Sequence, residues 1–333
     1  MSNVQKLAIE MINIQSISGA EGPMADFLQK WLGERGWEVQ RQTVEPGRDN
    51  VYAHRPGKTP DLIFNSHIDT VPPYFPASED DEWIYGRGAC DTKSLIAAQL
   101  LAVESMPETM QDRVGFLYVV GEEVDHCGMA AANALGLNPD YLIVGEPTES
   151  KLGRRQKGIL KIRLEGSGKA AHSGYPHTGE SAIDPLLDVL QDLRNADWPK
   201  DEMLGDTTLN IGLLGGGRAA NVVPDQAFAE VMFRVVTSQA EIHRRVNEIV
   251  GDRVACELIT ANDPCDLTTL EGFESVVVAF NTDIPYLKFD GKALLWGAGS
   301  ILDAHTSGEK IGKRDLEKAV EIYADLARRC LGI

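Results

Sequence analysis

Asp61-Leu62-Ile63-Phe64-Asn65-Ser66-His67-Ile68-Asp69-Thr70-Val71-Pro72 is the stretch from which the rest of the chain is read. Leu62–Phe64 is a short apolar run that reads as a buried strand, and it leads into a His and an Asp two residues apart. Residues i and i+2 of an extended chain project to the same side. His67 and Asp69 can therefore work together, the imidazole on a metal and the carboxylate holding or flanking it. A lone His-x-Asp also fits a loop histidine bonded to its neighbour, so the meaning depends on how the other strands end.

Two further apolar runs end in the same manner. Val114–Val120 stops at Gly121-Glu122-Glu123, and Tyr141–Val144 stops at Gly145-Glu146-Pro147-Thr148. Helical spacing covers residues 4–13 and 21–35, a helix is expected from near Thr92, and a short one over Met129–Leu135. Apolar strands alternating with helices predict an α/β domain on a mainly parallel sheet, buried on both faces. Ligands of such sheets bind beyond the carboxyl ends of the strands. That is where the three acidic strand ends lie.

From about residue 152 the texture changes. Strands over Gly158–Glu165, Thr208–Leu214, Ala227–Val236 and Val254–Ile259, with helices over Ser181–Asn195 and Gln239–Val250, follow the order β-α-β-β-α-β. This split pattern predicts a smaller α+β domain inserted at 152–262. The catalytic domain is then discontinuous, residues 1–151 and 263–333. Its second piece carries Val276–Phe280, Ala293–Trp296, a loop with His305, and a last helix over Lys313–Cys330.

A length of 333 residues fits two domains. The net charge of −18 argues against nucleic acid or anionic membrane as a partner. No apolar run approaches the roughly 20 residues that cross a bilayer. Five cysteines without zinc-finger spacing, and an N-terminal stretch without a signal-peptide core, lead us to expect a cytoplasmic protein with reduced thiols.

The strand-end and loop residues collect into His67, Asp69, Asp91, Glu122, Glu123, Glu146 and His305. Singly, each has an ordinary reading: Glu122-Glu123 as a solvated acidic pair, Asp91 as a helix cap, Glu146 as a turn residue. Together, two imidazoles with several carboxylates suit Zn²⁺ or a similar divalent ion, and they suffice for two ions sharing one carboxylate. Adjacent Glu122 and Glu123 point different ways, so one can ligate while the other faces the attacking water as general base. Two ions roughly 3.5–4 Å apart would polarise a carbonyl and sharpen a bridging hydroxide.

The ordered set HIDTVP, YGRGACDTK, GEE, GEP and AH followed by an acid resembles the co-catalytic zinc aminoacylase and exopeptidase family. That family includes acetylornithine deacetylase, succinyl-diaminopimelate desuccinylase and glutamate-releasing carboxypeptidases, and the resemblance spans essentially the whole chain. It implies that His67, Asp91 and Glu146 hold one ion, and that Asp91 bridges to a second ion held by Glu123 and His305. Glu122 would be the general base and Asp69 would orient His67. Both ions are expected to be Zn²⁺, with Co²⁺ also accepted by this ligand set. Ser66 and Ser94 stand where the family often has Gly.

In the inserted domain, GKAAHSGYPHTGESAID resembles the family's lid segment. His172 would reach the active site of a second subunit and stabilise an oxyanion, which implies a homodimer paired through the lid domain. A histidine capping a local turn is the alternative. Asn221 and Arg234 match positions that contact the substrate carboxylate; for Arg234 a surface ion pair competes. His126 and Cys127 are expected to face solvent or pack, and His177 and His243 to lie on the surface.

GAGSILDAHTSGE looks most like the acetylornithine deacetylase branch, although Ala298 replaces a Pro. The expected reaction is hydrolysis of an N-acyl amino acid, N-acetyl-L-ornithine giving ornithine and acetate in arginine biosynthesis. The alternatives are a dinuclear metallo-dipeptidase or carboxypeptidase acting on a dipeptide, or a deacylase for acetyl-citrulline, a lysine-pathway or a succinylated substrate. Glycines 215–217 do not open a helix and so do not form a phosphate loop.

Overall fold

The computed structural model describes Met1–Gly332. In chain order its principal elements begin with α1 (Asn3–Ile12), α2 (Gly22–Gly33), β1 (Glu38–Glu45), β2 (Arg48–His54) and β3 (Leu62–His67). Next come α3 (Lys93–Glu104), β4 (Val114–Val119), α4 (Cys127–Ala132) and β5 (Tyr141–Val144). Then follow β6 (Gly158–Ser167), α5 (Ile183–Asn195), β7 (Thr208–Gly216), β8 (Gln226–Val235), α6 (Gln239–Val250) and β9 (Ala255–Asn262). The chain finishes with β10 (Lys292–Leu295) and α7 (Lys313–Leu331). These divide into two compact units. One comprises Met1–Arg154, Leu267–Val276 and the chain from Thr282 onward; the other comprises Arg155–Asp266 with Val277–Asn281.

In the first unit the strands run in the order β1-β2-β4-β3-β5-β10. β3 lies between two parallel neighbours, with Phe64 opposite Phe116 on β4 and opposite Ile143 on β5. β10 continues the parallel set beside β5, and β1 and β2 form an antiparallel flank. Every residue of β3 and β4 is buried, as expected for strands covered on both faces. Because the parallel strands are in register, their carboxyl ends come level, and the segments holding His67, Glu122 and Glu146 emerge side by side.

The core beneath those ends is aromatic. Phe64 lies 6.4 Å from Phe116 and meets Tyr323 edge-on at 5.6 Å, while Tyr323 meets Trp296 edge-on at 4.9 Å. α7 supplies Leu316, Ala319, Tyr323, Ala324 and Ala327 at three- and four-residue spacing, and Gly332 at φ 71° ends it. α3 is buried almost all round, which makes it the central helix of this layer.

The second unit is a four-stranded antiparallel sheet in the order β7-β8-β6-β9, and its chain order is the expected β-α-β-β-α-β. β8 alternates buried and half-buried residues, so one face is apolar. Against that face α5 places Leu186, Leu190 and Leu193, and α6 places Ile242, Val246 and Val250.

Two expectations differ in detail. The short helix begins at Cys127 and tightens to a 3-10 turn over Asn133–Leu135. The run Val276–Phe280 yields a strand only over Ser275–Val278, and just beyond it the Asn281 side chain accepts hydrogen bonds from Gln156 and Asn262. Among the described residues no helix is long and apolar enough to cross a membrane.

Phe64 fills the junction of both aromatic contacts, so Phe64→Ala should destabilise the first unit by roughly 3–5 kcal/mol. Urea unfolding followed by tryptophan fluorescence reads this directly. A loss below about 1 kcal/mol would mean that the core closes over the gap.

Candidate metal centre

His67 is the last residue of β3 and is 1% exposed. Its Nδ1 lies 3.0 Å from the backbone carbonyl of Asp69 and 3.4 Å from Asp69 Oδ1. With that nitrogen occupied, Nε2 faces 2.9 Å from Asp91 Oδ1 and 3.8 Å from Glu146 Oε1. The carbonyl is thus the closer anchor of the ring. The Asp69 carboxylate has other partners: it accepts the Ser18 hydroxyl at 2.7 Å and the backbone N–H groups of Glu122 and Glu123 at 3.2 Å each.

Asp91 does not cap α3, whose N-cap residue is Thr92 with no side-chain capping bond. Its two carboxylate oxygens are split between the imidazoles, Oδ1 to His67 Nε2 at 2.9 Å and Oδ2 to His305 Nε2 at 3.2 Å. Buried Glu309 holds the loop in place. Its Oε1 accepts the N–H groups of Gly88, Cys90 and Asp91 at 3.0–3.1 Å, and its Oε2 pairs with buried Arg87. The hydroxyl of Ser66 sits 2.6 Å from that of Thr92 and 3.0 Å from the Gly145 carbonyl, so it ties two strand ends to the start of α3.

After β4 the chain turns at Gly121, whose φ is 76° and where a Cβ would lie 2.5 Å from Cys127 Sγ. The turn sends Glu123 toward His305, with carboxylate oxygens 3.0 Å from Nε2. It sends Glu122 toward His126, whose Nδ1 is 3.8 Å from Glu122 Oε1. His305 sits on an exposed loop at φ 63°. Glu146 is buried against that loop's base, where a Cβ on Gly297 would meet the Glu146 carbonyl at 2.3 Å.

The structure therefore links Glu146, His67, Asp91, His305 and Glu123 into one chain of contacts. His67, Asp91 and Glu123 offer ligand atoms that all lie within 4.8 Å of one another. Imidazole nitrogen with carboxylate oxygen is a donor set for Zn²⁺ and similar ions, so the residues present fit a divalent metal.

The electrostatics agree with that fit. Burial, reinforced by neighbouring carboxylates, pushes Glu123 and Glu146 up, and burial holds Glu122 at about 8 against the pull of His126 and His67. For Asp91 burial acts upward too, but hydrogen bonds from His305 and His67 outweigh it and hold the carboxyl below its ordinary range. Hydrogen bonds to Asp91 and Glu123 raise His305 to about 10. Burial opposes a charge on His67, and Glu146, Asp69 and Asp91 overcome it and raise the imidazole.

Three predicted residues belong to the second unit. His172 is exposed, and its Nδ1 accepts the Gly174 N–H at 3.0 Å. Exposed Asn221 is beside it, its carbonyl accepting the Ser173 N–H at 3.0 Å. Half-buried Arg234 lies on β8, opposite Ile159 on β6 and Thr208 on β7.

Sequence reading left Glu309, Ser18, Asp283 and Tyr286 without roles, and it placed His126 as a packing or solvent-facing residue. His126 is in fact 5% exposed and bonded to Asp283 at 3.0 Å. Glu309 had one signal, the acid that follows His305 in the AH motif. The other supports come from irregular segments, which carry no periodicity.

Comparison with known proteins gives a consistent result. A family model described as a peptidase dimerisation domain matches residues 154–255. A Schizosaccharomyces pombe protein described as peptidase M20 domain-containing is 40% identical, over 96% of this chain and 83% of its own. A probable carboxypeptidase of Uncinocarpus reesii is 36% identical, over 98% of this chain and 86% of its own. Among solved structures, an M20 family metallo-carboxypeptidase of Sulfolobus solfataricus superposes over 100% of both chains at a TM-score of 0.81 and 19% identity.

Two predictions follow from the geometry. Glu309→Gln removes the charge that anchors the Asp91 loop, and affinity for Zn²⁺ should fall roughly 10- to 100-fold in competition with a chromophoric chelator. An unchanged affinity would show that Arg87 and the loop hold Asp91 without it. Neighbouring carboxylates favour the protonated imidazolium at His305 and His67, so ion binding should release protons near neutral pH, and affinity should rise with pH. Calorimetry in buffers of contrasting ionisation enthalpy measures that release; a buffer-independent heat would contradict it.

Proposed function

The chain belongs to the M20 peptidase family, and we propose that it is a metal-dependent carboxypeptidase hydrolysing the C-terminal amide bond of dipeptides or short peptides. The observation that carries this reading is the convergence of His67, Asp91 and Glu123 within 4.8 Å, with buried Glu122 next to them in sequence. The relatives named as carboxypeptidases support the choice of a peptide substrate.

In this reading His67, Asp91 and Glu146 would hold one divalent ion, and Asp91, Glu123 and His305 would hold the second, most simply Zn²⁺ in both places. When bound, the ions would supply Lewis acidity to polarise the scissile carbonyl and to make a water easier to deprotonate. Everything else is done by the chain. Glu122, buried beside the donor cluster, would take a proton from the attacking water and pass it to the departing amine nitrogen, burial strengthening its hold on that proton. Asp69, through the two N–H groups it accepts, fixes where the Glu122 and Glu123 side chains begin.

The second unit is assigned substrate recognition and pairing. Arg234 and Asn221 would bind the substrate's terminal carboxylate, and His172 of a second copy would stabilise the developing oxyanion. The match of residues 154–255 to a peptidase dimerisation domain supports a homodimer formed through this unit.

N-acetyl-L-ornithine, expected from the C-terminal loop, has no support among these relatives. The loop's glycine has a structural duty instead, giving the Glu146 backbone room at Gly297. Deacylation of an N-acyl amino acid remains the second reading, because a linear amide would meet the same groups.

The test is release of C-terminal amino acids from a panel of dipeptides and tripeptides, beside N-acyl amino acids, by chelator-stripped protein with and without Zn²⁺. Peptide cleavage restored by the ion is the expected result. Glu122→Gln should lower kcat by about 10²–10⁴-fold while ion binding persists. Turnover confined to N-acyl amino acids would favour the second reading, and turnover indifferent to both the ion and Glu122 would overturn the mechanism.

A further inference from the structure

The buried histidine beside Glu122 is not among the metal donors, yet its surroundings are built with care. His126 follows Glu122 by four residues and adopts a left-handed conformation, φ 58° and ψ 25°, at the start of α4. Its backbone N–H donates to the Gly121 carbonyl at 2.9 Å, so the turn folds the ring back toward Glu122. One ring nitrogen meets two carboxylates: Nδ1 is 3.0 Å from Asp283 Oδ1 and 3.8 Å from Glu122 Oε1. The ring also lies nearly parallel on Tyr286, centroids 4.1 Å apart at 15°. Tyr286 is joined to the same anchor, its N–H donating to the Asp283 carbonyl at 3.0 Å.

A histidine that only filled space would not need a carboxylate brought in from 157 residues away and buried to 1% exposure. Burying Asp283 is costly unless it is paired, and His126 is the pairing. The short contact therefore fixes the ring. The longer one lies beyond hydrogen-bond range but within reach of an ion pair, which leaves the Glu122 carboxylate room to move. That suits a carboxylate with two proton-transfer positions.

We infer that His126, anchored by Asp283 and stacked on Tyr286, is a positioning residue that keeps the Glu122 carboxylate aimed at the reacting amide. The inference rests on the reading of Glu122 as general base. As the bond from water oxygen to the carbonyl carbon forms, Glu122 accepts the water proton; as the carbon–nitrogen bond breaks, that proton goes to the amine. His126 neither gains nor loses a proton in this balance.

The test compares His126→Gly, His126→Asn and Asp283→Asn. Glycine and asparagine both tolerate the left-handed backbone, so neither variant strains the turn. Only asparagine puts a nitrogen donor near the place of Nδ1. We expect His126→Gly to lower kcat roughly 10- to 100-fold with KM and metal content close to wild type, and His126→Asn to recover most of that loss. Asp283→Asn should lie between them. Crystal structures of the same proteins give a readout independent of turnover: Glu122 should leave its place in His126→Gly and keep it in His126→Asn. Wild type without peptidase activity would sink the proposed function, and the Glu122 positions would still decide this inference. A kcat for His126→Gly within about twofold of wild type, or a Glu122 carboxylate that does not move, would overturn it.

Discussion

The centre depends on one buried carboxylate. Asp69 is fully buried, accepts the Ser18 hydroxyl and two successive backbone N–H groups, and lies 3.4 Å from His67. An ionised carboxylate is tolerated there only because those donors replace water. In return it fastens the turn after β4 to the end of β3. The Glu122-Glu123 turn is thus held by the Asp69 carboxylate and the His67 ring by the Asp69 backbone carbonyl, so one residue sets both.

Around that anchor the fold concentrates negative charge in a place that disfavours it. Glu122, Glu123 and Glu146 are all pushed upward by burial, and only Asp91, with an imidazole on each oxygen, is held down. A cluster of this kind is unstable against its own repulsion unless cations or protons enter it. The raised imidazoles of His67 and His305 meet part of the need, and divalent ions meet it with a larger charge. Stability and chemistry therefore ask for the same guest.

The sheet and the residues that gather at its end were legible because they coincide. Leu62–Phe64, Val114–Val120 and Tyr141–Val144 are apolar runs, parallel register brings their ends level, and the polar residues just beyond them had to meet. The small unit was legible from its order of strands and helices. What escaped was support from irregular chain: Asp283 and Glu309 reach the centre across long sequence separations, and His126 depends on a left-handed turn that no pattern of hydrophobicity encodes. The acetylornithine expectation, which the relatives do not support, came from the same kind of segment. It read substrate from the loop at Gly297–Ser300, whose backbone is occupied with Thr148–Ser150: the N–H groups of Thr148 and Ser150 donate to Gly297, and that of Glu149 to Gly299.

All five proposed metal donors, the Glu122 base and their supports belong to the first unit, whereas His172, Asn221 and Arg234 belong to the second. Inheritance can then act on the two halves at different speeds. On the proposed division of roles, changes in the second unit would alter what is cut and leave the reaction as it is. On that division the motifs of the first unit would tell a reader which bond is broken and leave open whose bond it is.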